Sequence, residues 1–349
     1  MRDFASCFSE HAVKVSDKTT CSGGSSSSNS NSSSSSSGRK SSVVTSTAAA
    51  VDQSVQTAIS SMYRTRLTAA HKDVLTKVTW SQSPHTGTVL SVGVDVNDHP
   101  NPRSHRRQWD PNSISSHILR KVKGSQSFLS GRSVVLLYWN YYSVAAAAAM
   151  ANSKMNSGPE LPVTKLFYVI VLVDAVPALL LGDLSGEFMK KQLNRSSAGP
   201  VAADIDFSIL VGRREQVVWK SSYSTRARFG DGGGSKDHDI VIRTCKGDAE
   251  LVVVVDKKEV VHVRRLQWNF RGNQTIFLDG LAVDMMWDVG NWWFGSPPGG
   301  SHAVFLFRRR SALQSRLWLD EEEEEEEVEV ERERGVSGFS LLIQAFKNP

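Results

Sequence analysis

From Thr76 almost to the end of the chain, short apolar and alternating runs are broken about every ten residues by Gly, Pro, Asn, Asp or Ser. A two-residue period places successive side chains on opposite faces of an extended backbone, so this pattern predicts strands. The candidates are "KVTWSQ", "TVLSVGVDV", "SVVLLYW", "KLFYVIVLV", "ALLLGD", "SILVGR", "QVVWKSS", "STRARF", "HDIVIRTC", "ELVVVVD", "EVVHVRRLQWNF", "QTIFLD", "LAVDMMWDV" and "HAVFLFRR". Many short strands with regular turn signals predict an all-β fold, a single antiparallel β-sandwich or flattened barrel. One stretch, "LSGEFMKKQLN", reads as a helix, with Asp183 as its N-cap.

Residues 266–295 hold four of the nine tryptophans and show the alternation most clearly. The Asp-Gly pair in "LDGL" is the two-residue loop of a type I′ hairpin, which sets Leu278 opposite Leu281 and Ile276 opposite Val283. Val283, Met285, Trp287 and Val289 then share a core face, and Ala282, Asp284, Met286 and Asp288 the other. Upstream, Val261 and Val263 fall out of phase with Leu266, Trp268 and Phe270, so a β-bulge at Arg264 and Arg265 is predicted, with Trp268 and Trp287 in the core. Trp292, Trp293 and Phe294 are consecutive and cannot all point inward from a strand. They form either a lid over the open end of the sandwich or an exposed surface that grips a ligand, and the lid is the favoured reading.

Several segments interrupt the pattern. Residues 22–37 are almost all Ser, Gly and Asn, which bury nothing, so residues 1–50 are expected to be a disordered Ser-rich tail. A β-rich domain is expected over 51–319, interrupted by an Ala-rich insertion at 143–162 that forms at most a short, marginal helix outside the core. An acidic low-complexity linker follows at 320–335. Residues 336–349, with Phe339, Leu341 and Ile343 on one face, are expected to dock as a C-terminal edge strand.

Charge sharpens the division. The net charge is +5, but residues 320–334 carry eleven acids against two arginines, a net of −9 that leaves +14 on the rest. Cys7, Cys21 and Cys245 fit neither a disulfide framework nor a zinc site, which suits a reducing compartment. The chain starts without an apolar leader, and its most apolar run is broken by Asp174 and Pro177. An intracellular protein is expected, cytoplasmic or nuclear and not secreted, with no transmembrane segment.

The search for chemistry gives no catalytic, cofactor-binding or metal-binding residues. "RFGDGGGSKDHD" lacks the glycine that a phosphate-binding loop needs at Ser235 and is followed by a strand, so it reads as a solvated hairpin loop. His238 beside Asp239 resembles a dyad, but strand neighbours face opposite ways, and a structural histidine is the plainer reading. Asp284 and Asp288 could be imagined as a glycosidase pair; solvated strand polarity explains them more simply. Arg226, Arg228 and Arg243 suggest a basic patch, which the chain's own acidic run could occupy intramolecularly.

"MRDFASCFSE", "KVTWSQ" with "LSVGVDV", "LLLGDL", "STRARFGDGG" with "HDIVI", "LQWNFRGNQT", "WDVGNWWF", "HAVFLF" and "GFSLLIQAFK" occur in order along nearly the whole chain. On these motifs the chain resembles the plant family catalogued as domain of unknown function 868, departing from it in the Ala-rich insertion and the glutamate run. The resemblance implies a plant origin and a β-rich fold; it carries no activity and no catalytic residues.

The expectation is therefore a non-enzymatic binding or scaffolding module of unknown specific function, with no cofactor and with a protein rather than nucleic acid as the favoured partner. One alternative is a small-molecule binder or enzyme with a pocket between the sheets, where Trp and Arg side chains would converge. Another is weak nucleic-acid or anionic-membrane binding through a basic sheet face.

Overall fold

The computed structural model describes residues 57–83, 87–97, 114–151, 166–193, 208–230, 235–245, 247, 249–294, 302–310 and 338–347. The Ser-rich segment 1–50 and the acidic segment 320–335 lie outside them. The chain is all-β, and its sheets do not close into a barrel. Among the described residues no helix is long and apolar enough to cross a membrane.

The first half contributes β1 (Thr57–Leu67), β2 (Lys72–Ser83), β3 (Gly87–Asn97), β4 (Ser116–Leu119), β5 (Lys123–Ser130), β6 (Ser133–Asn140), α1 (Tyr142–Ala151), β7 (Tyr168–Val173), β8 (Val176–Leu181) and α2 (Ser185–Leu193). The second contributes β9 (Ile209–Trp219), β10 (Ser222–Ala227), β11 (His238–Cys245), β12 (Glu250–Val255), β13 (Lys258–Arg264), β14 (Arg271–Leu278), β15 (Leu281–Asp288), α3 (Gly290–Phe294), β16 (His302–Arg309) and β17 (Ser340–Lys347). One nine-stranded sheet runs β14-β15-β16-β17-β9-β1-β2-β3-β4, and two four-stranded sheets run β5-β6-β7-β8 and β10-β11-β12-β13.

Register shows how the layers stack. Ile59 pairs with Glu215 and Ser61 with Arg213 across β1 and β9, so the alternate residues of both strands share one face of the nine-stranded sheet. On that face Val74, Val78, Leu90 and Val92 form one core with Val135, Leu137, Val169 and Val171 of the β5–β8 sheet. Val217, Phe305, Leu341 and Ile343 form a second core with Ile240, Ile242, Leu251 and Val253 of the β10–β13 sheet. Two sandwich lobes thus sit side by side on one continuous sheet. Among the described strands β9 and β17 pair in parallel and the other neighbours antiparallel.

The lobes repeat a unit. The β5–β6 and β14–β15 hairpins each consist of eight residues, a two-residue turn and eight more, and they align without a gap. Gly124, Gln126, Val135 and Trp139 of the first fall on Gly272, Gln274, Val283 and Trp287 of the second. The hydrogen bonds repeat as well. Trp139 Nε1 donates to the Lys121 carbonyl at 2.7 Å, and Trp287 Nε1 to the Asn269 carbonyl at 3.0 Å. The amides of Tyr141 and Val289 donate to the carbonyls of Val122 and Phe270, each at 2.8 Å. Asn140 Oδ1 then accepts the Tyr142 amide at 3.3 Å and Asp288 Oδ1 the Gly290 amide at 2.9 Å, at the start of α1 and α3.

The pairings predicted around Asp279-Gly280 hold: Leu278 faces Leu281 and Ile276 faces Val283. Both turn residues have positive φ, 50° and 77°, as a type I′ turn requires. Other expectations are corrected. β17 is no edge strand; it lies between β16 and β9 because Leu341, Ile343 and Ala345 complete the second core. No bulge carries the strand through Arg264 and Arg265. Arg265 instead turns the chain at φ 51°, and its carbonyl accepts the amides of Trp268 and Asn269, which leaves Trp268 77% exposed and out of the core. Trp287 does pack against the second core, partly buried. "SILVGR" and the start of "QVVWKSS" form the single strand β9, Ile209–Trp219. The flattened barrel is set aside because the sheets stay open, and the sandwich is built as two lobes on one sheet. Asp183 does not cap α2; its carboxylate accepts the amides of Leu166 and Phe167. The Ala-rich insertion begins with α1, whose Val144 is buried in the first core.

Candidate functional site

A buried polar network lies between the nine-stranded sheet and the β10–β13 sheet. Glu215, fully buried on β9, takes an ion pair from Arg213 and hydrogen bonds from the Tyr223 hydroxyl at 2.7 Å and the Thr225 hydroxyl at 2.8 Å. Arg213 also donates to the Arg226 carbonyl at 3.0 Å. Burial, with the Glu215 carboxylate beside it, pushes the Tyr223 phenol far above its usual range. This network ties β9 to β10, and nothing in the sequence pattern announces it, because Glu215 sits amid the charged run "GRREQ".

His238 is buried, and its ring nitrogens lie 2.7 Å from Asp256 and 3.1 Å from Asp279. Those aspartates belong to the β12–β13 and β14–β15 turns, so the imidazole ties two hairpins together. Asp239 points elsewhere, to Arg226 at 2.8 Å. Asp284 is buried, contrary to its expected solvated position, and is held by Arg310 at 2.6 Å and Thr275 at 2.8 Å. Asp288 pairs with Arg271 at 2.8 Å.

The predicted basic patch lies on the outward face of β10 and β11. Arg226 faces Asp239 and Arg228 faces Asp237 at 3.0 Å, all well exposed, while Arg243 stands opposite Ser222 at the far end. The aspartates at both central arginines cancel much of the field that an acidic ligand would feel.

The aromatic run divides. Trp292 is 8% exposed, packs at a tilt on Trp219 with ring centroids 5.2 Å apart, donates Nε1 to the Ala345 carbonyl at 3.2 Å, and carries Lys347 Nζ 5.2 Å from its ring. The Trp293 side chain lies outside the described residues. Phe294 is 68% exposed and packs edge-on against Phe270 at 5.3 Å, with Arg271 Cζ 5.7 Å from the Phe270 ring.

Phe294 therefore lies beside the start of β14, an outer strand of the nine-stranded sheet. β14 carries exposed Arg271 at its first position and Phe277, 75% exposed, at its seventh. β5, outermost in its own sheet, repeats this with exposed Lys123 first and Leu129, 72% exposed, seventh. Sequence reading missed both strands' surfaces, and β5 altogether, because "KGSQSFLS" is too polar to register as a strand. The signal was the recurrence of a cation, Gly, a polar residue, Gln and a hydroxyl residue at 123–127 and 271–275.

These features define an all-β protein of two sandwich lobes whose duplicated hairpins each present an outer strand with a cation and an exposed large apolar side chain. The chain belongs to the family described as plant protein of unknown function (DUF868), which matches residues 54–347. No curated protein and no solved structure matches it.

Proposed function

We propose that this protein is a non-enzymatic scaffolding module that takes extended segments of protein partners at its outer strands β5 and β14. The observation that carries the reading is the duplicated exposed apolar residue, Leu129 and Phe277, at the same position of two sheet edges. An outer strand offers a row of backbone donors and acceptors to an added strand, and alternate side chains supply specificity. Proteins ordinarily blunt such edges with lysines, prolines or short length. The opposite edge of the nine-stranded sheet, β4, is four residues long, whereas β14 has eight. The inter-sheet Arg213 and Glu215 bond to each other and to their neighbours, which supports binding over chemistry. Unpaired Cys245 supports a reducing compartment, cytoplasm or nucleus.

Affinity purification from plant tissue with quantitative mass spectrometry tests the reading. Leu129→Asp and Phe277→Asp should each deplete a set of partners recovered with the parent chain, and the double variant should deplete both. An identical partner list for the parent and the folded double variant overturns it.

A further inference from the structure

We infer that the segment taken up by β14 is β14 of a second copy of this chain, paired antiparallel about a twofold axis through Gln274. The inference rests on the edge-docking reading above and names its occupant.

Backbone direction constrains the register. In a two-residue hairpin the residues flanking the turn form a hydrogen-bonded pair, and such pairs alternate with non-bonded ones. Leu278 and Leu281 flank the β14–β15 turn, so the even-numbered residues of β14 bond to β15. The Val289 amide on the Phe270 carbonyl continues that series. The amides and carbonyls of Arg271, Asn273, Thr275 and Phe277 therefore point away from β15, to the side where no described strand pairs. An antiparallel partner must set odd residues against odd residues.

Side chains select among the registers this allows. A twofold axis at Gln274 sets Arg271 against Phe277 of the partner subunit and Asn273 against Thr275 of the partner subunit. Each guanidinium then meets an exposed aromatic ring, a contact that favours arginine over lysine. On the other face, Gly272 meets Ile276 of the partner subunit. Gly272 has no side chain because the Trp287 ring occupies its place, so that isoleucine meets the indole edge. The same operation at β5 would set Lys123 against Leu129, an ammonium on an aliphatic chain. The inward faces do not separate the two strands, since each is engaged within its own lobe: Phe128 packs on His117 at 4.1 Å, and Gln274 donates Nε2 to the Val260 carbonyl at 3.0 Å. Self-pairing thus suits β14, and it leaves the two β5 edges of the dimer for other partners.

The test is the mass of the full chain in solution, measured by light scattering at about 50 µM, combined with cysteine cross-linking. The expected result is a dimer whose mass halves in Phe277→Asp, a substitution at an exposed position. Gln274→Cys should form a disulfide-linked dimer under mild oxidation, because residues facing across the axis have Cα atoms about 4.5–5.5 Å apart, within disulfide reach. Arg271→Cys should not, since it faces position 277. A monomeric parent overturns the inference, as does a dimer that Gln274→Cys fails to link. If the parent is monomeric and Phe277→Asp still loses partners from plant tissue, β14 docks another protein: the twofold fails and the docking function stands. If the dimer forms as described but the partner lists do not change, the homotypic contact stands and the wider docking function fails.

Discussion

Gly272 lies opposite Trp287 across the β14–β15 hairpin, and the indole fills the space where a side chain at 272 would stand. The other lobe repeats the arrangement: a Cβ at Gly124 would meet Trp139 Cζ2 at 2.7 Å. Ring and glycine form one unit, so Gly272→Ala and Gly124→Ala should each destabilise the fold by about 1–3 kcal/mol through overpacking. Gly186 in α2 is the control, since nothing lies within 4 Å of its added Cβ. Gly186→Ala should be neutral or stabilising by about 0.5–1 kcal/mol. Chemical denaturation of the three variants checks the contrast.

Trp292 and Trp268 lie close in sequence and have opposite surroundings. Trp292→Ala removes a ring packed on Trp219 and Phe305, and should cost about 3–5 kcal/mol of stability. Trp268→Ala removes an exposed ring and should fall within about 0.5 kcal/mol of the parent. Equal melting temperatures for parent and Trp292→Ala would show that α3 does not close the second core.

Removing the Glu215 carboxylate leaves the Arg213 guanidinium without its counter-charge in a dry site. Glu215→Ala should cost about 3–5 kcal/mol. Replacing Arg213 and Glu215 together with apolar residues of similar volume should recover much of the loss, which a double-mutant cycle measures.

The Asp284 carboxyl is held below its usual range: burial raises it, but the Arg310 guanidinium and the Thr275 hydroxyl together outweigh burial. A depressed folded-state value means that stability is present above the ordinary carboxylate pKa and is lost as pH falls through the folded value. Acid titration of melting temperature below about pH 4 should therefore show a steep loss in the parent. Arg310→Gln should be less stable at neutral pH and show a shallower acid limb; parallel limbs would remove Asp284 from the account.

Strands whose two faces differ in polarity could be read from the sequence, and the Asp-Gly turn fixed the β14–β15 register correctly because one face had to be apolar. β1 and β5 escaped for the opposite reason. Ser61 and Thr65 of β1 occupy buried positions that an alternation rule reserves for apolar residues, with Thr65 bonding the Ala178 carbonyl at 2.6 Å, and in β5 polar Gln126 stays exposed two residues before half-buried Phe128. Trp268 was misplaced because extending the strand by two residues per step ignored the left-handed turn available to Arg265. Trp292 and Phe294 could be told apart only once α3 was in view. The exposed residues Leu129 and Phe277 were visible as letters, but their common position on two sheet edges needed the strand order.

Amide hydrogen exchange of the full chain, alone at high dilution and in the complexes recovered from plant tissue, tests edge docking most directly. Association should slow exchange within residues 271–278 and 123–130 while leaving the interior strands β7, β12 and β16 unchanged. Unaltered exchange in both outer strands, with protection arising elsewhere, would contradict it.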